Sequence, residues 1–177
     1  MKHVMSPPLR AKRNHDVLWN ALNIGLIDTV ATDHCPFDTE QKLLGRNSFT
    51  EIPNGIPGIE DRVNLLFTYG VKRGRLDLHR FVDAASTQAA KIFGLFPRKG
   101  TIAVGSDADL VIYDASYRGL ISASRQYVNN DYNGFESMEI EGRPALVTVR
   151  GKVQVRDGEF MGEHGRGKFL KREPSHF

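Results

Sequence analysis

The chain has 177 residues, 40% of them hydrophobic, and a formal net charge of +3. A chain of this length can bury a hydrophobic core, as one domain or as parts of two. No apolar run approaches the roughly 18 residues that a membrane-spanning helix needs, and the N-terminus lacks the apolar core of a signal peptide. The single cysteine, Cys35, excludes a disulfide framework and a thiolate metal cluster. We therefore expect a cytoplasmic protein with no membrane partner.

The first predicted element is the end of a strand at residues 4–5, followed by a rigid loop at Ser6, Pro7 and Pro8. Two consecutive prolines prevent both a helix and a strand ladder. A helix is predicted over 15–24, with Asn14 placed to cap it and Gly25 placed to end it in a left-handed turn.

A second strand is predicted over 29–32, and Asp33 follows where the strand becomes a loop, because Pro36 cannot donate to a ladder. One helix between two strands makes them parallel, so Ser6 and Asp33 are expected at the same edge. In a parallel α/β barrel that edge is the catalytic one. Asp33 is thus a candidate for chemistry, with a turn residue or helix cap as the alternative.

Segment 52–58 contains two prolines and two glycines, which predict a rigid irregular loop. Such a loop near a catalytic edge commonly offers backbone contacts to a small ligand. The alternative is an ordinary turn in which Asn54 and Gly55 adopt positive φ.

A helical turn is expected over 40–45 within the polar loop that follows Phe37. Amphipathic spacing predicts a helix over 59–69, and further helices are predicted over 78–85 and 87–93. Gly70 and Gly94 are placed to end two of them, and Ser86 is placed to cap the last. Arg80 falls on a polar helix face and is interpreted as solvated.

From Gly100 onward the pattern has the period of two that is typical of strands. Short strands are predicted over 101–103, 109–113, 146–149 and 153–155. Val147 and Val149 are expected to pair with Val153 and Val155 in a hairpin. One face of this hairpin is expected to be solvent-exposed, as in an antiparallel sheet.

The basic residues near the C-terminus are Arg166, Lys168, Lys171 and Arg172. They lack the repeated aromatic interleaving of single-strand binders, so we predict no nucleic-acid partner. The predicted organisation is a helix-rich part over 1–97, a small β part over 98–161 and a basic tail over 162–177 that is solvated or contacts another subunit.

Four stretches occur in order: Ser-Pro-Pro-Leu-Arg at 6–10, Ala-Thr-Asp-His-Cys-Pro-Phe at 31–37, the loop and Glu-Asp-Arg at 53–62, and Lys-Gly-Thr-Ile-Ala-Val-Gly-Ser-Asp-Ala-Asp-Leu-Val at 99–111. In this order they closely resemble the dihydropyrimidinase (D-hydantoinase) family of cyclic amidohydrolases. The resemblance implies an α/β fold: the C-terminal part of a (β/α)8 amidohydrolase barrel, followed by C-terminal strands of a small β-sandwich. It also implies a binuclear zinc site that opens the ring amide of dihydropyrimidines or hydantoins.

The resemblance assigns roles residue by residue. Asp33 matches the acid after the last barrel strand, which binds the more buried zinc and passes a proton from the metal-bound hydroxide to the leaving nitrogen. Ser6 and Asn54 match positions whose backbone groups hold the cyclic ureide or imide substrate. His34 either supports Asp33 or packs at the rim. Cys35 is expected to be a small buried hydrophobic residue.

The other metal-site residues of the family, a His-x-His pair, a carboxylated lysine and two further histidines, are not found in the matched stretches, nor is the tyrosine that steadies its tetrahedral intermediate. The six histidines show no His-x-His spacing: His3, His15, His34, His79, His164 and His176. A three-nitrogen zinc site cannot be built from them in the usual way. The resemblance therefore implies the C-terminal portion of an enzyme, inactive alone and unable to bind the two zinc ions stably.

The expected partner is the missing N-terminal portion or identical subunits, because part of a barrel and part of a sandwich leave apolar faces bare. Those faces carry Ile27, Val30, Val111 and Val147. Two alternatives remain: a non-catalytic scaffold relative, as the collapsin-response proteins are, or an allantoinase-like or dihydroorotase-like hydrolase. Asp33 argues against the scaffold, and the loops at Ser6 and Asn54 favour dihydropyrimidinase over the other hydrolases.

Overall fold

The computed structural model describes residues 1–175, so His176 and Phe177 at the end of the predicted tail lie outside the described residues. Five short α-helices lie in the first part of the chain: α1 His15–Asn23, α2 Thr39–Leu43, α3 Arg62–Leu66, α4 Leu78–Val82 and α5 Gln88–Ile92. A π-helical turn, Phe67–Lys72, continues α3, and a second, Asp83–Thr87, joins α4 to α5. Within residues 1–175, no helix is long and apolar enough to span a membrane.

Glycine ends two of the helices as predicted, but the polar caps were predicted wrongly. Gly25 and Gly94 follow α1 and α5 with φ of +79° and +63°. Asn14 already has helical angles, φ −83° and ψ −13°, and its side chain makes no capping hydrogen bond. Ser86 and Gly70 lie inside the two π turns, because the helices run on through the predicted boundaries. Continuous backbone hydrogen bonding overrides the local preference of these side chains.

Four strands form one antiparallel sheet in chain order: β1 Val111–Leu120, β2 Glu139–Val149, β3 Lys152–Arg156 and β4 Glu159–Phe160. Val147 pairs with Val155 as predicted. Val149 pairs with Lys152 instead of a valine, because the register shifts between Val147 and Thr148. The hairpin prediction is therefore correct in topology and partly wrong in register.

The predicted strands at 29–32 and 101–103 are not strands in the described chain. Val30 instead donates its N–H to the Ala84 carbonyl oxygen at 3.3 Å. The Val30 carbonyl accepts from the Arg62 guanidinium at 2.9 Å. A ladder needs a neighbouring strand, and helix residues satisfy the Val30 backbone here.

A buried cluster joins the helices to the sheet. It consists of Leu22, Leu66, Phe67, Leu76, Phe81 and Ala84. The Phe67 ring packs edge-on against Phe81, with centroids 5.5 Å apart, and tilted against Tyr113 of β1 at 4.6 Å. Burial raises the pKa of Tyr113, whose hydroxyl donates to the Asn64 side-chain oxygen at 3.0 Å. Phe67 is therefore the aromatic link between α3 and β1.

The four apolar side chains that were expected to be uncovered differ in their environments. Val111 is 57% exposed. Ile27 and Val30 are partly buried and pack against the cluster, and Val147 is also partly buried. The expectation of bare apolar faces thus holds for Val111 alone among these four.

Arg80 is not solvated as predicted, because its side chain is only 12% exposed. Its guanidinium donates to the Leu22 carbonyl at 2.6 Å and to the Ile27 carbonyl, and it pairs with Asp83 at 2.5 Å. Leu22 is in the last turn of α1, where carbonyls lack partners within the helix. Arg80 therefore ties α4 to the end of α1.

We expect Phe67→Ala to lower the free energy of unfolding by about 3–5 kcal/mol, because it removes a buried ring and leaves a cavity. Urea denaturation followed by circular dichroism measures this loss. Phe49→Ala is the matched control, since Phe49 is 76% exposed. Equal losses in the two variants would show that Phe67 does not link the helices to the sheet.

Candidate functional site

The loop 52–58 lies between the segments that carry Ser6 and Asp33. Gly55 donates its N–H to the Val4 carbonyl oxygen at 3.0 Å, and Cys35 donates its N–H to the Ile56 carbonyl oxygen at 3.4 Å. The side chains of Ser6, Asp33 and Asn54 are exposed. The structure thus brings the segments of the three predicted site residues together, although they are distant in sequence.

Asp33 has a left-handed backbone, with φ of +46°. This conformation is uncommon outside glycine, and aspartate adopts it more readily than most residues. It redirects the chain directly after 29–32, as expected of a residue between an extended segment and a loop. The exposed carboxylate is left available to a ligand.

His34 and Cys35 contact the loop in different ways. The half-buried His34 accepts at Nδ1 from the Gly58 N–H at 3.2 Å, so its ring is bonded to the loop. Cys35 was predicted to be buried, but it is exposed. The prediction of burial is therefore wrong, and the contact of Cys35 with the loop includes a backbone hydrogen bond from its N–H.

Lys42 of α2 is fully buried. Its ammonium lies among backbone carbonyls of the segments that carry Ser6 and Asn54. Nζ donates to the carbonyl oxygens of Val4 at 3.0 Å, Pro53 at 2.5 Å and Gly55 at 2.7 Å. Burial lowers the pKa of Lys42. Sequence reasoning missed this residue, because a lysine in a short helical turn carries no signal of burial.

The stretch Glu60-Asp61-Arg62, which contributes to the resemblance, directly follows the loop and bonds to several other segments. The buried Asp61 carboxylate accepts from the side-chain amides of Gln126 at 2.6 Å and Asn133 at 2.7 Å. Burial raises the pKa of Asp61 despite these bonds. Glu60 accepts from a backbone N–H at 2.7 Å, and Arg62 donates to two carbonyls at 2.9 and 3.2 Å. These residues tie the loop to neighbouring segments, and Arg62 also lines the cavity described next.

A cavity of about 500 Å³ opens beside the site. Thr32, Ile56, Gly58 and Phe135 are among its lining residues. Thr32 immediately precedes Asp33, and Ile56 and Gly58 follow Asn54 in the loop. The cavity is therefore lined by sequence neighbours of Asp33 and Asn54, whereas Ser6, Asp33 and Asn54 are not among its lining residues. Its volume is large enough for a small ring.

The metal-ligand set of the family is not assembled by the part of the chain that the structure describes. Residues 1–175 contain no group of three or more His, Cys, Asp and Glu side chains that could hold a metal ion. Asp33 supplies one carboxylate, whereas a catalytic zinc takes about three protein ligands. The donors of the described chain do not fit a binuclear zinc site by themselves.

We expect Gly55→Ala to destabilise the protein by at least about 3 kcal/mol, from backbone strain and overpacking together. Gly55 has φ of +144°, and a Cβ there would lie 2.7 Å from the Cys35 Cβ. Gly74→Ala is the control, because Gly74 has φ of +69° but nothing within 4 Å of its added Cβ. Urea denaturation of both variants checks the difference, and equal losses would mean that the loop does not pack closely on Cys35.

Comparison with known proteins identifies the family. The profile described as Amidohydrolase family matches residues 3–154. A D-hydantoinase of Geobacillus stearothermophilus is 55% identical over 172 residues, which are 97% of this chain and 36% of the relative. A solved D-hydantoinase (dihydropyrimidinase) from Thermus sp. superposes with a TM-score of 0.96 at 76% identity, over 99% of this chain and 38% of that one.

A solved L-hydantoinase (dihydropyrimidinase) from Arthrobacter aurescens matches with a TM-score of 0.90 at 38% identity, over 96% of this chain and 38% of that one. The chain thus spans little more than a third of the length of these relatives. The resemblance inferred from the four stretches is confirmed, and the chain belongs to the amidohydrolase family.

Proposed function

We propose that this chain is the C-terminal portion of a cyclic amidohydrolase that opens the ring amide of hydantoins or dihydropyrimidines. The observation that carries the proposal is the likeness to the Thermus D-hydantoinase (dihydropyrimidinase), which is 76% identical over nearly the whole chain. In this proposal residues 1–97 belong to a (β/α)8 barrel, residues 98–161 to a β-sandwich, and residues 162–177 to a basic tail.

Asp33 is the proposed proton carrier. A carboxylate exposed beside a cavity can accept a proton from the attacking water and return it to the ring nitrogen as the amide bond breaks. The backbone groups of Ser6 and Asn54 are the proposed contacts to the cyclic ureide or imide. The hydrogen bonds from Gly55 to Val4 and from Cys35 to Ile56 support this grouping, because they hold the three segments side by side.

The proposed metal is zinc, with Asp33 as one ligand and the other ligands outside the described residues. Zinc would supply Lewis-acid polarisation of the ring carbonyl. The rest of a polypeptide of the relatives' length, or identical subunits, is the proposed partner. The exposure of Val111, Leu26 and Ile102 supports such contacts. The single cysteine supports a reducing compartment, and a cytoplasmic location is part of the proposal.

We expect Asp33→Asn, made in the full-length enzyme, to lower kcat for hydantoin or dihydrouracil by about 10²–10⁴-fold, because an amide cannot accept the proton. Folding should be nearly unchanged, since the side chain is exposed. Ring opening followed by ultraviolet absorbance measures the rate. Asp28→Asn is the matched control at another exposed aspartate of the same segment. A variant that keeps more than about a tenth of the wild-type rate would show that Asp33 has a structural role and does not carry the proton.

We expect the 177-residue polypeptide alone, supplied with zinc, to open neither hydantoin nor dihydrouracil above the background rate. One carboxylate cannot hold two zinc ions. The full-length enzyme at equal molar concentration is the positive control. Turnover by the polypeptide that a chelator abolishes and added zinc restores would contradict this expectation.

A further inference from the structure

We propose that Lys42 is a positioning residue, which fixes the backbone segments of Ser6 and Asn54 relative to each other so that they can bind a cyclic amide together. The inference rests on the proposed function and extends it to a residue outside the matched stretches. Lys42 itself contacts neither the candidate cavity nor the exposed site side chains, so its effect is indirect.

The geometry of the ammonium is the first argument. Its three carbonyl partners lie at 3.0, 2.5 and 2.7 Å, and Lys42 is 0% exposed. A lysine ammonium has three N–H donors, so each carbonyl receives one. A neutral side chain would leave all three carbonyls without this partner, and the Val4 carbonyl alone among them would keep the Gly55 N–H described above.

The identity of the carbonyls is the second argument. Val4 lies two residues before Ser6, and Pro53 and Gly55 flank Asn54 on both sides. One charged atom therefore bonds to both segments that are proposed to hold the substrate. A small displacement of Nζ would move Ser6 and Asn54 apart or together.

The cost of burial is the third argument. Taking an ammonium out of water is expensive, and neutral carbonyls compensate it less well than a carboxylate would. The nearest aromatic ring, Phe37, adds a cation–π contact with its centroid 5.3 Å from Nζ. A buried charge of this kind is poor evidence that Lys42 stabilises the fold. It is better suited to holding the two backbone segments in one arrangement.

The test uses the full-length enzyme with Lys42→Met, which keeps an unbranched side chain one atom shorter than lysine and removes its donors. We expect KM for hydantoin to rise about tenfold or more while kcat changes less than about threefold, because ring-binding contacts are lost and Asp33 is retained. Hydrogen exchange of the backbone should speed up in 4–10 and 52–58. Lys99→Met is the matched control, since Lys99 pairs with Asp107 and Asp109 in the β part of the chain.

A wild-type KM in Lys42→Met, or a loss confined to thermal stability as expected for Lys99→Met, would overturn the positioning role. Unchanged exchange in both segments would overturn it without any activity measurement. If Lys42→Met does not fold, Lys42→Arg replaces it, because a planar guanidinium cannot match three converging carbonyls as an ammonium does. A wild-type KM in that variant would count against the proposal. If the wild-type enzyme opens no cyclic amide, the proposed function is refuted. That outcome is independent of the hydrogen-exchange result, which tests the positioning role by itself.

Discussion

The site depends on one constraint: the backbone polar groups of the irregular loop 52–58 need partners, because no strand or helix supplies them. Lys42, His34 and the neighbouring segments supply those partners. The same hydrogen bonds that satisfy the loop also hold it against the segments of Ser6 and Asp33. The same set of contacts therefore both pairs the polar backbone groups of the loop and assembles the candidate site.

Charged and polar side chains play the same role elsewhere in the helical part. Arg62 bonds to the carbonyls of Val30 and Ala85, and Arg80 bonds to those of Leu22 and Ile27. These bonds connect chain segments that share no ladder. The described helices are short, and long polar side chains bridge the gaps that regular hydrogen bonding leaves.

In the proposed function, this chain supplies some of the site residues and the rest of the enzyme supplies the others. The described chain offers the exposed carboxylate of Asp33 close to the segments of Ser6 and Asn54. In the proposed function this carboxylate carries a proton and the two segments orient a small ring, whereas residues 1–175 contain no metal-ligand cluster. The relatives are nearly three times as long as the matched region, which leaves room in them for the other ligands.

Local chemistry in the sequence determined the family, the helix ends at Gly25 and Gly94 and the topology of the β2–β3 hairpin. Glycine at positive φ and alternating valines act over a few residues, so one sequence is enough to reveal them. The candidate residues Ser6, Asp33 and Asn54 came from matched stretches, and the structure places their segments together without testing their roles.

Tertiary structure alone decided which charged side chains are buried and where the helices continue. Lys42 and Arg80 resemble surface residues in any local window, because the carbonyls that receive their N–H groups lie between 11 and 58 residues away. The helix through Ser86 and the register shift after Val147 likewise become evident only in the folded chain. A local pattern cannot reveal a partner that only the folded chain brings into contact.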